Sequence, residues 1–124
     1  MSDLSVTVDD ITLEATWIDD APETRRALER ELPLEGEAVR WGDELYFDVP
    51  LEVPPENQSE EVPVGAIAYW PTGSKLCLFW GPTPASRGEE PRATAPVNVV
   101  GRLEDVSALS DLEGGARVRF DAGK

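Results

Sequence analysis

The chain contains no histidine. That removes Ser-His-Asp and Cys-His catalysis, and with them the commonest ligand of catalytic zinc. It has one cysteine, Cys77, so no disulfide framework exists within it. Cys77 lies inside an apolar run and reads as a packed core thiol rather than a nucleophile. Lysine occurs only at Lys75 and Lys124, and glutamine only at Gln58. No apolar run approaches the ~20 residues needed to span a bilayer. The opening segment MSDLSVTVDD has neither the basic nor the apolar region of a signal peptide, which points to the cytoplasm. Neither G-x-x-x-x-G-K-[ST] nor G-x-G-x-x-G occurs, so neither nucleotide fingerprint applies.

What the chain has in excess is acid. Its 25 Asp and Glu against 11 Lys and Arg give a net charge of −14 over 124 residues. Nucleic acid and anionic membranes would repel such a surface. Dispersed carboxylates with scarce lysine resemble the surface of a halophile's cytosolic protein, where concentrated salt screens the repulsion; an acidic mesophilic protein is the alternative. Asp9-Asp10 and Glu60-Glu61 are the adjacent acids a metal would choose. In so acidic a chain they read as surface charge, and no metal or cofactor is expected.

The hydrophobic fraction of 40% is ordinary for a globular protein, and the length suits a single domain over 1–124. The most structured stretch is Val64–Ser86. Two apolar runs, Ala66–Trp70 and Leu76–Trp80, flank Pro71-Thr72-Gly73-Ser74 and read as a hairpin buried on both faces. Alternation puts Ile67 and Tyr69 on one face and Ala66, Ala68 and Trp70 on the other; Leu76, Leu78 and Trp80 oppose Cys77 and Phe79. Upstream, Leu4–Val8 and Ile11–Trp17 form strands around the turn Asp9-Asp10. A helix is expected from Asp20, as cap, through Pro22 to about Glu31, ending before Pro33. Glu37–Trp41 and Glu44–Val49 pair about Gly42-Asp43, with Leu45, Phe47 and Val49 on one face and Glu44, Tyr46 and Asp48 on the other.

Pro50–Pro63 and Pro82–Pro96 are long proline-rich loops, the first with a short edge strand expected at Leu51–Val53. Ala95–Gly101 is a strand whose Asn98, buried among valines, needs partners from a neighbouring loop. Val106–Leu112 makes a short helix and Ala116–Asp121 a final strand. About eight short strands with one good helix and one short one predict a mainly β, closed antiparallel barrel.

With no histidine and no nucleotide motif, what remains for function is a cluster of aromatics. Four tryptophans and two tyrosines exceed what a small barrel buries completely, and their polar tips need partners. The expected site is a cleft beside the central hairpin lined by Tyr46, Tyr69, Phe79 and Thr83. Packing of all four is the competing reading.

Three segments carry a resemblance: WGDELYFDVP (Trp41–Pro50), VGAIAYWPTGSKLCLFWGPTPAS (Val64–Ser86) and APVNVVGRL (Ala95–Leu103). In order and spacing they are similar to the segments that mark a prokaryotic cyclophilin-like family of small proteins. The resemblance implies a cyclophilin-type barrel of about eight strands with a helix covering one end. Cyclophilins proper are peptidyl-prolyl isomerases that place an arginine against the prolyl nitrogen, with glutamine, histidine and tryptophan around it. This chain lacks the histidine, and Gln58 lies in an acidic loop. Arg40 is the arginine nearest a family motif, without the local isomerase pattern. Two functions follow: a module binding a peptide or small ligand in a barrel-side cleft, or a prolyl isomerase with a rearranged site. Which applies turns on whether an arginine shares the pocket with Tyr46 and Phe79. Monomer and homodimer stay equally open.

Overall fold

Alternating apolar residues force each strand of this chain to choose an inner and an outer face, and the choices close a ring. The computed structural model describes residues 3–123. Its strands are β1 (Leu4–Val8), β2 (Ile11–Trp17), β3 (Leu34–Arg40), β4 (Glu44–Asp48), β5 (Ser59–Glu61), β6 (Ala66–Trp70), β7 (Lys75–Phe79), β8 (Arg92–Leu103) and β9 (Ala116–Ala122). One helix, α1 (Pro22–Glu31), and a 3₁₀ turn at Ser107–Asp111 complete the elements. The order β2-β1-β9-β3-β4-β7-β6-β8 closes through a β2–β8 pairing, so eight strands form a barrel. Every pairing is antiparallel, and β5 adds to the outside of β8. The expected mainly β barrel is the observed one.

The barrel interior takes Val6, Leu45, Phe47, Ile67, Tyr69, Leu76, Leu78, Val118 and Phe120, all buried in one cluster. Phe47 and Phe120 stack with centroids 5.9 Å apart. Opposite registers confirm the faces read from alternation: Leu45 pairs with Leu78, and Tyr46 with Cys77. A second, smaller cluster lies on the outer side of β6, β7 and β8. It contains Val62, Ala66, Ala68, Cys77, Phe79, Ala93, Val97 and Val99. The central hairpin is therefore covered on both faces, as expected. Val97 and Val99 belong to this outer cluster, and it is Val100 that turns inward.

Several boundaries differ from the sequence expectation. The edge strand is not at Leu51–Val53 but at β5, eight residues later, where Ser59 pairs with Val97 and Glu61 with Arg92. β3 starts at Leu34 because Leu34–Ala38 pairs with β9. Helix α1 is capped at Ala21, not Asp20, and its N-cap side chain makes no hydrogen bond. The cap comes from far along the chain. Glu56 accepts from Glu23 N (3.1 Å), Thr24 N (2.9 Å) and the Thr24 hydroxyl (2.8 Å). A carboxylate at a helix N-terminus satisfies orphan N–H groups and meets the positive end of the dipole.

Asn98 ties this arrangement together. Its Oδ1 accepts from Glu56 N at 2.9 Å, and its Nδ2 donates to Thr24 Oγ1 (3.0 Å) and Pro54 O (3.1 Å). The polar residue in the valine run thus pins α1 and the Pro50–Pro63 loop to β8.

Candidate functional site

Before Asn98, β8 has not yet met β6 and pairs with β5 instead. Between this half of β8 and the outward side chains of β4 and β7 lies a cavity of about 280 Å³. It is lined by Ala93, Thr94, Ala95 and Val97 of β8, Glu44 and Tyr46 of β4, Lys75 and Cys77 of β7, and Trp41 and Trp70. The three rings are half-buried walls, and Glu44 is buried at 6% exposure. Trp70 is held by the hairpin turn itself. A Cβ on Gly73 would approach its ring to 2.5 Å, so only glycine lets the turn lie flat on the indole. The Trp70 indole nitrogen is buried without a hydrogen-bond partner.

The electrostatics centre on Glu44. Burial pushes its pKa up to about 7, offset in part by a hydrogen bond with the Cys77 thiol. Burial likewise raises the Cys77 thiol well above its usual range, and the neighbouring Glu44 charge adds to this. Cys77 is therefore the packed thiol expected from its strand context. The other charged group in the lining, Lys75, is bound to Asp48 through Nζ, which also stands 5.9 Å from the centroid of the Tyr46 ring.

Of the four residues singled out from sequence, only Tyr46 borders this cavity. Tyr69 is fully buried and points into the barrel, where its hydroxyl donates to Leu51 O (2.7 Å) and accepts from Val53 N (3.3 Å). Phe79 is sealed in the outer cluster, directly across from Glu44. Thr83 is 7% exposed and committed to its own loop: its hydroxyl donates to Arg92 O and accepts from Ala85 N at 3.1 Å. Gly42, at φ +63°, makes room for that loop, since a Cβ there would come within 2.8 Å of Thr83 Cα. The four do not share a cavity. Tyr46 and Phe79 are on the outer face and Tyr69 on the inner one, so the four combine both faces of the sheet, and alternation does not show which outward ring is covered.

Trp41 and Trp70 belong to the aromatic cluster expected from sequence but not to the lining chosen from it, and Glu44, Lys75 and Cys77 were missed. The signal for them was present in the strand pairing. Glu44 and Tyr46 share a face, and that face meets Cys77 and Phe79, so an acid had to stand on an apolar surface.

Arg40 does not enter the cavity. Its guanidinium donates to Gly42 O (2.8 Å), Leu112 O and Asp43 Oδ1 (3.0 Å), and lies over the Trp80 ring at 5.4 Å. Arg92 is occupied by Glu90 (3.0 Å) and Glu61 (3.2 Å). No arginine is among the lining residues. Among the described residues, no group of three or more acids or cysteines is placed to hold a metal ion. No described helix is long and apolar enough to cross a membrane.

Comparison with known proteins agrees with this geometry. The model of the family described as Cyclophilin-like matches residues 2–121. This chain belongs to the Cyclophilin-like family. The solution structure of the hypothetical protein AF2241 from Archaeoglobus fulgidus superposes with a TM-score of 0.81. It is 34% identical, covering 98% of this chain and 95% of that one. No curated protein matches. Within this Cyclophilin-like barrel, the cavity sits on the outer sheet face, between strands that the three sequence segments supply: Trp41–Pro50, the central hairpin and Ala95–Leu103.

Proposed function

We propose that this Cyclophilin-like chain is a binding module that takes a small ligand, or one side chain of a peptide, in the cavity beside β8. The cavity carries the proposal: an apolar recess with three aromatic walls and a few polar groups has the make-up of a ligand site. Its size limits the occupant. At about 280 Å³ it lies at the small end of the roughly 300–1,000 Å³ typical of ligand pockets. A single compact group fits; an extended peptide does not enter whole.

The prolyl isomerase alternative has weaker support. Cyclophilins proper lower the ~20 kcal/mol barrier of peptide rotation with an arginine at the prolyl nitrogen, whereas here Arg40 and Arg92 are both spent on structural partners and neither lines the cavity. The surplus of 14 negative charges supports a further reading, that the protein works in concentrated salt.

A fragment screen followed by the ¹H–¹⁵N signals of the Trp41 and Trp70 indoles tests the cavity. Saturable shifts confined to these and to Tyr46 are expected. A screen in which no compound moves them overturns the binding reading. A protease-coupled assay on proline peptides, at low and multimolar salt, tests the alternative; acceleration above the uncatalysed rate restores it.

A further inference from the structure

The walls of the cavity narrow what it can hold, given that it is a ligand site at all. Trp41, Tyr46 and Trp70 present three π systems, whose faces carry partial negative charge. Glu44 supplies a carboxyl that is buried from bulk water yet belongs to the cavity lining. A carboxylate has about four acceptor sites, and the partner of Glu44 is the single Cys77 thiol. Among the described residues, no other protein group fills the remaining acceptor capacity. The rest of the lining, apart from Lys75, is small and uncharged: Ala93, Thr94, Ala95 and Val97.

We propose that the cavity binds a small organic cation of the alkylated ammonium class, with Glu44 as its counter-ion and Trp41, Tyr46 and Trp70 as its cage.

The choice of alkylated ammonium follows from what the site lacks. A primary ammonium or a metal ion is strongly hydrated, and on entry it would need several donor–acceptor partners or ligands in place of water. One carboxyl and apolar walls do not provide them. A quaternary ammonium has no N–H groups to satisfy, spreads its charge over methyl groups, and interacts well with ring faces. The Lys75 ammonium beside Tyr46 shows that this ring already accepts a cation at its edge of the site. Because Asp48 binds Lys75, that lysine's charge is locally balanced. The net charge of −14 favours cations over anions at the protein surface.

Binding must also respond to pH. Glu44 has to ionise to act as counter-ion, and burial places that step near pH 7. The groups that share its surroundings are Cys77 and Lys75 of β7 and Tyr46 and Asp48 of its own strand, while β8 contributes only uncharged residues. Affinity for a cation should therefore fall about tenfold from pH 8 to pH 6.

The test titrates choline chloride into the ¹⁵N-labelled full chain, at ionic strength held constant with KCl. 3,3-Dimethylbutan-1-ol, its uncharged isostere, is run in parallel. Expected are saturable shifts of the Trp41 and Trp70 indoles with choline at pH 8, about tenfold weaker binding at pH 6, and at least tenfold weaker binding of the alcohol. Glu44→Gln should lose the preference for choline, and Trp41→Leu, at a half-exposed wall, should weaken choline binding severalfold without unfolding. If choline and the alcohol bind equally, or Glu44→Gln leaves choline binding intact, the cavity stands as a ligand site and the cation assignment is overturned. If neither compound binds while fragments do, the cation assignment again fails alone. Silence of both compounds and of the fragment screen overturns both readings.

Discussion

Glu44 and Cys77 stand on adjacent strands beneath one cavity, where Glu44 helps keep the thiol protonated while the thiol's hydrogen bond favours the ionised carboxylate. Burial raises both pKa values, Glu44 to about 7, and the Glu44 charge adds to the rise at Cys77. The thiol's hydrogen bond recovers part of what burial costs the carboxylate. The pair is thus neutral below about pH 7 and carries one charge above it, on Glu44.

This relationship predicts a pH-dependent cost. A carboxyl ionises near 4.5 in the unfolded chain, and Glu44 does so near 7 in the folded one. Between those values the unfolded state binds fewer protons, so stability falls as pH rises and levels off above about 7. The full gap corresponds to about 3 kcal/mol as an upper limit. Glu44→Gln should therefore be more stable than the parent by about 1–3 kcal/mol at pH 8, with the difference shrinking towards pH 5. Urea denaturation of both proteins at several pH values measures it. A difference that does not change with pH would show that Glu44 ionises in the native state as it does in solvent.

Cys77 should be chemically silent in the native protein. The residue is 3% exposed, and its thiol is kept from ionising, first by burial and then by Glu44. Titration with a chromogenic disulfide at pH 8 should give no prompt reaction without denaturant and one thiol per chain in 6 M guanidinium. Neutralising Glu44 should change this little, because burial is the larger cause. Fast native labelling would mean that the cavity floor is open to reagents.

Most of the barrel was legible because its strands alternate cleanly. Leu45, Phe47, Ile67, Leu76, Leu78, Val118 and Phe120 all lie inward, as period-two patterning requires. Val97 and Val99, expected inward by the same patterning, lie instead in the outer cluster, with Asn98 between them turned to Thr24 and Pro54. Patterning failed where the partner was remote. The α1 cap is Glu56, more than thirty residues from the helix start, and nothing local marks it. Local rules preferred Asp20 because a capping side chain is normally adjacent. β5 escaped notice because Ser-Glu-Glu has no strand propensity, and its pairing with β8 holds it. The site was half legible. The face carrying Tyr46 was right, but Tyr69 belongs to the opposite face of the sheet. Phe79 has the correct orientation and is simply covered. Which outward ring meets solvent depends on where β8 and the Pro82–Pro91 loop settle, and a single sequence does not state that.

Asn98 should be costly to replace with an apolar residue of similar size. Asn98→Leu leaves the Glu56 N–H and the Pro54 carbonyl without their partner in a part-buried setting and removes the buried donor to Thr24. A loss of about 2–4 kcal/mol is expected from unsatisfied buried groups. Glu56→Ala, which removes only the cap, should cost about 1 kcal/mol. Burial would raise the Glu56 pKa, but the hydrogen bonds from Thr24 and Glu23 and the nearby Arg26 outweigh it and hold it below the ordinary value. Its contribution is therefore present near neutral pH and lost as pH falls through that lowered value. Chemical denaturation at pH 7 ranks the two variants; equal losses would remove Asn98 from its role as the hub.

Salt should stabilise the protein, and the balance of paired and unpaired charge gives the sign. The outer face of β3 and β9 carries a ladder of ion pairs: Arg117 with Glu35 and Glu37 at 3.3 Å, and Arg119 with Glu35 at 3.2 Å and Asp121 at 2.7 Å. These side chains are substantially exposed, so each pair contributes at most about 1 kcal/mol and salt weakens it. Against them stand 14 carboxylates in excess of all the lysines and arginines. Their mutual repulsion acts over the whole of a small surface and is screened by the same ions. The Debye length drops from about 30 Å at 0.01 M to about 3 Å at 1 M. At the first value every acid feels most of the others; at the second it feels only its neighbours. The melting temperature should rise steeply up to about 0.5 M KCl, where screening is nearly complete, and more gently beyond. An uncharged osmolyte at equal osmolality should not reproduce the steep part. A melting temperature that stays level from dilute buffer to multimolar KCl would mean that the ion-pair ladder offsets the excess acid, and the high-salt reading of the surface would fall with it.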